Sequence, residues 1–510
     1  IGEALEDKIS EFISTGEIAF LKKLLETYPA TLLDMLDVEG VGVKSIKVLY
    51  DSLGICSLES LHQACIENRV ATLPGFSLNS ERKFMASIEF LLKQRGYFRI
   101  NMAWQTAALL RARLLEHSSA TEVEIAGSVR RFNERIHNIN LVAAATDSIS
   151  VMKCFVTSPE TKSVVIAEQT TGTIITQSGI PAHLKIVPPM QFPHALLFAT
   201  GSQSHIARLQ ELATVQSMNI SETGMIHKDG TTVICNDESE IYSTLNLPFI
   251  HPELREGFHE FEITHDKPLV TRADILGLVH CHSTWSDGLN SIAEMANTAH
   301  QMGYQYIVLT DHSQSSVHVN GLSPDRVEQQ HGEINEINDL DLSGFRIVKG
   351  IEVDILNDGS LDYDEDVLRT FEFIIASVHS NFDMKEEEAT SRIIRAIENP
   401  YTSAIGHLTG RLLLTRMGYT VDVDKVVDAA VANSVAFEIN ANPRRLDMDW
   451  RHLHKAADKG AKFVIGPDAH RIAGIHNVRY GIGVARKGAL TPEHILNCLP
   501  VEDFVQWRKS

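Results

Sequence analysis

From residue 275 onward, short apolar runs alternate with stretches of helical spacing, and six of the runs stop at a histidine, aspartate or glutamate. The run 275–279 ends at His280 and His282, 306–309 at Thr310-Asp311-His312, and 345–348 just before Gly350-Ile351-Glu352. The run 373–376 leads to Ser377-Val378-His379, 404–406 to His407, and 463–466 to Asp468-Ala469-His470. Between them, 292–302 and 423–432 carry apolar residues at helical spacing. This alternation predicts a β/α barrel, whose functional residues gather where the strands end.

The pattern upstream is different. Thr15-Gly16-Glu17-Ile18 followed by apolar residues at 20, 21, 24 and 25 predicts a turn into an amphipathic helix. It leads to Val38-Glu39-Gly40-Val41-Gly42-Val43-Lys44, a helix-hairpin-helix signature. The glycines allow a tight turn, and the following helix N-terminus offers backbone N–H groups to a DNA phosphate, so Gly40, Gly42 and Lys44 are candidate DNA contacts. Leu73-Pro74-Gly75-Phe76-Ser77 looks like a degenerate second copy without the second glycine. Further on, Gly127-Ser128-Val129-Arg130-Arg131 separates the segments 122–126 and 136–142.

Chemistry concentrates in the last half. Imidazole and carboxylate together are the ligand set of zinc, manganese or iron, and His280, His282, Asp287, His312, Glu352, His379, His407, Asp468 and His470 exceed what one ion needs. A single histidine is more simply a packing or surface group; the joint pattern implies two or three divalent metals, with Glu352 able to bridge two. His280 and His282, alternate residues of an extended segment, can point into one cavity, and Cys281 between them then faces the other way and packs. Bound metal acidifies water and neutralises phosphate oxygens, which is phosphoester hydrolysis. Arg411 and Arg445 are candidates for gripping a phosphate, with pairing to a carboxylate as the competing reading.

Charge limits the DNA reading. The formal net charge is -20, and residues 273–510 hold 22 Lys and Arg against 34 Asp and Glu. Nonspecific DNA binding usually relies on a basic surface, so affinity is expected to be modest and salt-sensitive, carried by backbone amides. The six cysteines lack C-x-x-C spacing, which suits a reducing cytoplasm, and no apolar run is long enough to span a bilayer. The expected location is a bacterial-type cytoplasm.

The residues 273–510 resemble a PHP phosphoesterase domain, with the H-x-H, S-D-G, T-D-H, G-I-E, S-V-H, G-H and D-A-H motifs all present. The resemblance implies a distorted (β/α)7 barrel holding three ions: one on His280, His282, Glu352 and Asp468, one on Glu352, His379 and His407, and one on Asp287, His312 and His470. Residues 122–145 resemble the nucleotidyltransferase palm of family X DNA polymerases, in which a Gly-Ser pair binds the incoming triphosphate and three aspartates hold magnesium. Here the three positions are Asn138, Asn140 and His183. Gly127, Ser128, Arg131, Asn138, Asn140 and His183 therefore mark a vestigial polymerase site. Neutral ligands cannot offset two Mg²⁺ ions, so polymerase activity is expected to be absent.

The whole order resembles bacterial PolX proteins: a helical helix-hairpin-helix region over 1–100, palm over 101–195, thumb over 196–248, a linker over 249–272 and the PHP barrel over 273–510. The opening Ile1-Gly2-Glu3-Ala4-Leu5 resembles the middle of another hairpin, and an N-terminal stretch is expected to precede it. The leading functional expectation is a DNA-repair phosphoesterase: a 3′-5′ exonuclease, with 3′-phosphatase or abasic-site endonuclease activity as variants, acting on gapped DNA or a free 3′ end. The alternatives are a small-molecule phosphatase of the histidinol-phosphatase kind and a noncatalytic DNA-binding scaffold.

Overall fold

The computed structural model describes residues 3–263, 268–340 and 344–507, and the chain divides into two compact units, 1–96 together with 414–417, and the remainder. In the first unit, helices α1 (Glu3–Thr15), α2 (Ala19–Thr27), α3 (Val43–Leu53), α4 (Leu58–Ile66) and α5 (Leu78–Gln94) follow one another. Met35, Leu49, Leu61 and Ile88 meet in its core.

The two hairpin turns of this unit differ in one physical respect. Gly40 adopts φ +82, which only glycine holds without strain, and Gly42 N-caps α3 with no side chain to bond the first-turn N–H groups. Before α5, Ser77 accepts the Ser80 N–H at 3.1 Å, so the second helix end is capped by its own side chain. Lys44 is exposed on the first turn of α3.

The second unit begins with α6 (Ile100–His117) and a five-stranded sheet of β1 (Glu122–Ala126), β2 (Ile139–Ala144), β3 (Thr161–Ala167), β4 (Thr171–Thr176) and β5 (Pro181–Val187). Its order is β1-β2-β5-β4-β3, and parallel pairing of β2 with β5 sets Asn140 opposite His183. A helix α7 (Gln203–Val215), an antiparallel sheet of β6 (Met218–Ser221), β7 (Gly224–His227) and β8 (Thr232–Val233), and α8 (Glu238–Thr244) follow.

The segment 249–272 is not the loose linker that its proline and charge content suggests. Ile250, Leu254 and Leu269 are buried with Leu209 and Tyr242. Its charges are spent inward: Arg255, fully buried, bonds Glu238, and Glu260 accepts from His205 at 2.8 Å. Proline and charge mark solvated loops only while the charges lack partners; residues 264–267 of this stretch lie outside those described.

The remaining strands form one parallel sheet in sequence order: β9 (Gly277–Cys281), β10 (Tyr306–Leu309), β11 (Arg346–Asp354), β12 (Phe373–Ser377), β13 (Ala404–Ile405), β14 (Ala436–Asn440) and β15 (Phe463–Gly466). A bridge from Cys281 to Ala469 brings the first and last strands together, so the barrel is nearly closed. Intervening helices start where their sequence allows; Ser291 and Glu294, for example, form a capping box at Ile292–Gln301.

Alternation along the strands sorts two layers. Val279, Val308, Val348, Ile375, Ala436 and Val464 face the barrel interior, while Leu278, Ile307, Ile347, Ile374, Phe437 and Ile465 join the cluster around it. At the strand N-termini, Phe504 of α9 (Val501–Gln506) closes the interior, its ring 5.0 Å from Tyr306 and 4.8 Å from Phe373. The opposite end is left for polar groups.

Candidate metal centre

At the C-terminal end of the barrel the interior positions change from aliphatic to acidic and glycine. Glu352 on β11 and Glu438 on β14 point inward, and glycines make room for Glu438. A Cβ at Gly466 would lie 2.4 Å from the Glu438 carboxylate and 2.8 Å from His280 Cβ.

Glu352 is the hub. One of its oxygens lies 3.0 Å from His407 Nε2 and 3.2 Å from His379 Nε2. The other lies 3.1 Å from His312 Nδ1, 3.3 Å from His280 Nε2 and 3.7 Å from His282 Nε2. Asp468 stands 3.5 Å from both His282 and His470, and Asp287 lies 3.3 Å from His470 and 3.6 Å from His312. All nine residues singled out in the sequence are thus brought together.

His280 reaches the cavity by a route the alternation rule does not contain. The register of β9 against β10 shifts between Leu278 and Cys281, and His280 takes φ +63. This bulge turns His280 inward beside His282, with ring centroids 5.2 Å apart, and leaves Cys281 among the outer apolar residues. Asp468 also holds a left-handed φ of +50. Two strained residues in one cluster fit the habit of functional sites to store strain.

Electrostatics match a crowded site of opposite charges. Burial pushes the Glu352 carboxyl up, but His379, His280 and His312 outweigh it and hold the group well below its usual range. Burial pushes His379 down, yet Glu352 and Asp354 raise it to about 10. Burial and the nearby Arg445 push His407 down to about 3.

The donor set suits metal ions. Buried nitrogens normally form hydrogen bonds, yet among the described residues His280 Nε2, both ring nitrogens of His282, His312 Nδ1 and His407 Nδ1 form none, even where a carboxylate stands near. Three groups have ligand atoms close enough for an ion: His282, Asp287, His312 and His470; His280, His282 and Asp468; and His312, Glu352 and His379. This partition departs from the one implied by resemblance. His282 joins the Asp287 group, where its ring stacks on His312 at 4.6 Å and on His470 at 4.1 Å, and also keeps its place beside His280 and Asp468.

Outer partners emerge only in three dimensions. Glu438 accepts from His280 Nδ1 at 2.5 Å and from the His407 N–H at 2.7 Å, and Asp354 takes His379 Nδ1 at 2.5 Å. Such carboxylates orient the ligand imidazoles and fix which nitrogen faces the metal. Asp311 receives bonds from Ser283, Ser286 and Gln330, bracing the loop that carries Asp287. The sequence signal for Glu438 was an acid inside the apolar segment Phe437-Glu438-Ile439. Glu438→Gln is expected to weaken metal binding by about 10–100-fold with the fold intact, measured by titration against a chelating dye; unchanged affinity would rule out the orienting role.

The two arginines part company. Arg445 Nε lies 3.3 Å from Asp468, at the edge of the cluster. Arg411 is carboxylate-paired instead: it bonds Asp449 at 2.8 Å, Glu134 at 3.0 Å, the Arg445 carbonyl at 3.0 Å and the Leu446 carbonyl. With four hydrogen bonds already made, it has little left for a phosphate, which removes it from the phosphate-binding candidates.

In the five-stranded sheet, Asn140 Nδ2 donates to Asn138 Oδ1 at 2.9 Å, and His183 Nδ1 meets Thr173 Oγ1 at 2.9 Å. Gly127, at φ +63, comes so close that a Cβ there would fall 2.4 Å from the Asn140 amide. Ser128 sits between it and Val129 in the short helix Gly127–Arg130. Arg131 bonds Glu256 at 2.9 Å and the Thr200 carbonyl at 2.8 Å. No helix among the described residues is long and apolar enough to cross a membrane.

Comparison with known proteins places these parts. Family models match as a SAM-like helix-hairpin-helix tandem over residues 32–83, a DNA polymerase beta thumb over 195–256 and a PHP domain over 279–442. The chain is 36% identical over 513 residues to a DNA polymerase/3′-5′ exonuclease PolX of Bacillus subtilis, covering 100% of this chain and 90% of that protein. A probable phosphatase of Thermoanaerobacter is 29% identical over 43% of this chain and 88% of its own length. Another, from Caldanaerobacter subterraneus, is 30% identical over 38% of this chain and 74% of its own length.

Proposed function

The chain belongs to the bacterial PolX family, and on that premise we propose that it is a metal-dependent 3′-5′ exonuclease of DNA repair whose hydrolytic centre is the cluster around Glu352 and whose palm no longer polymerises. The reading is supported above all by one contrast. The barrel gathers eight candidate metal-ligating side chains around Glu352, whereas the palm positions beside Ser128 carry two amides and an imidazole.

The PHP domain is a metal-dependent module, and divalent transition metals (two or three ions of manganese, zinc or iron) fit its donor set. Such ions would polarise a phosphoryl oxygen and acidify a water. The chain's own residues do the rest. His280, His282 and Asp468, His312, Glu352 and His379, and Asp287 with His470 supply donors, and His407 completes the ring around Glu352. Glu438 and Asp354 hold the imidazoles in place. Arg445 at the rim is the group left to grip a phosphate oxygen of the strand end. The uncapped N-terminus of α3, with Gly40, Gly42 and Lys44, offers backbone N–H groups to a DNA phosphate.

A second reading, a small-molecule phosphatase, is favoured by the barrel's likeness to proteins named as probable phosphatases. Incubating the metal-loaded chain with a 5′-labelled gapped duplex and, separately, with a soluble phosphomonoester tells them apart. Stepwise loss of 3′ nucleotides is expected; phosphomonoester turnover without strand shortening would replace the first reading by the second.

A further inference from the structure

Arg411 has no role in the site as described, yet it is among the most heavily bonded side chains in the barrel, and one of its partners comes from the palm. Glu134 follows the vestigial Gly127-Ser128 motif by six residues and is itself largely buried, with 12% of its side chain exposed. Its carboxylate accepts from Arg411 at 3.0 Å, and Arg451 stands 3.8 Å from its other oxygen. Arg411 in turn donates to the carbonyls of Arg445 and Leu446 and to Asp449, and so clamps the backbone of the 445–449 loop. That loop presents the Arg445 side chain to Asp468, a member of the metal cluster, at 3.3 Å. The same palm segment is seated firmly on the barrel. Phe132 packs so closely on Gly483 that a Cβ there would meet its ring at 2.2 Å, and the buried Lys487 donates to the Arg131 carbonyl at 2.9 Å.

We propose that Glu134 of the palm is a positioning residue for the metal centre: by holding Arg411 it sets the 445–446 backbone, and thereby the Arg445 guanidinium, against Asp468 and an incoming phosphate. The inference rests on the reading of the barrel as a phosphoesterase. It gives the palm a task that needs no metal of its own: one side chain that completes the phosphate grip of the neighbouring domain. An Arg411 left without Glu134 keeps Asp449 but loses the anion on its second nitrogen, so its fork can swing and the loop carbonyls lose a fixed donor.

The test uses the full chain loaded with Mn²⁺, in four forms: unaltered, Glu134→Gln, Arg445→Ala and the double variant. Three quantities are read: the affinity for inorganic phosphate, and the kcat and KM on a 3′-labelled duplex. Glu134→Gln is expected to weaken phosphate binding and lower kcat about tenfold each, with KM, bound metal and melting temperature unchanged. In the Arg445→Ala background it should add nothing, because coupling between two residues that do not touch is the signature of positioning. Unchanged phosphate affinity, an effect that simply adds to that of Arg445→Ala, or a loss explained by missing metal would each overturn the proposal. If the unaltered protein hydrolyses no DNA, the functional reading fails, but the phosphate-affinity cycle still decides the role of Glu134.

Discussion

Asp468→Asn is expected to reduce metal-dependent DNA hydrolysis by more than about 100-fold, because loss of even an outer carboxylate partner costs a metal site about 10–100-fold, and Asp468 is closer in. The change is isosteric and removes only charge. Asp468 stands 3.5 Å from His282 and His470, and 3.8 Å from His280, so it borders two of the three groups able to hold an ion. Burial disfavours its charged form, yet His280, His282 and Arg445 hold its pKa well below the usual carboxylate range, which shows how strongly the surroundings select the anion. An amide there would face three imidazoles and a guanidinium without bringing them a negative charge. Elemental analysis should show less bound metal, while circular dichroism and the DNA binding proposed for residues 38–44 stay as they were. An unaltered hydrolysis rate in this variant would remove the cluster from the mechanism.

The second large effect concerns the palm. With Mg²⁺ or Mn²⁺, and with the barrel disabled by Asp468→Asn so that product is not degraded, template-directed primer extension should lie at least about 10³-fold below that of a carboxylate-bearing palm. Losing a single preorganised stabilising group already costs about 10²–10³, and here three charged ligands are absent together. The local structure also resists ions. Asn140 is satisfied by Asn138 at 2.9 Å and His183 by Thr173 at 2.9 Å, so the three side chains already have neutral partners within the sheet. Burial lowers the His183 pKa, and in either protonation state an imidazole brings no negative charge to a magnesium ion. The triple change Asn138→Asp, Asn140→Asp and His183→Asp should raise Mg²⁺ affinity, since it restores hard oxygen ligands to positions that Asn140 and His183 already share across paired strands. Extension by the unaltered palm that depends on Ser128 would refute this account.

Much of the molecule was legible from local pattern. Eight of the nine candidate metal ligands stand at or just beyond the end of an apolar run, with Asp287 on the loop that follows, and parallel strands that alternate with helices must end on one face of a barrel. Hence the nine side chains could be picked out before any coordinate was known. The glycine turn at residues 40–42 was legible for a similar reason, since backbone conformation there is set by the residue type itself. Other expectations failed where a residue's role depends on a partner far away in the chain. Arg411 looked like an anion grip until Glu134, more than two hundred residues earlier, proved to be its partner. The proline- and charge-rich stretch after residue 248 looked like a linker until Arg255 was found buried against Glu238.

By itself, then, the sequence determined which chemistry each position carries, imidazole and carboxylate along the barrel and amide at Asn138 and Asn140, because that chemistry belongs to the residue and strand ends are written in hydrophobic periodicity. Only the tertiary structure decided which of these side chains lie close enough together to hold an ion, and that Glu438 and Asp354 bond the histidines while Glu134 bonds Arg411. Those choices depend on a one-residue bulge in β9 and on contacts between residues as many as 277 positions apart. Neither leaves a trace in local periodicity, since a bulge shifts register without changing composition and a long-range ion pair constrains no neighbour in sequence.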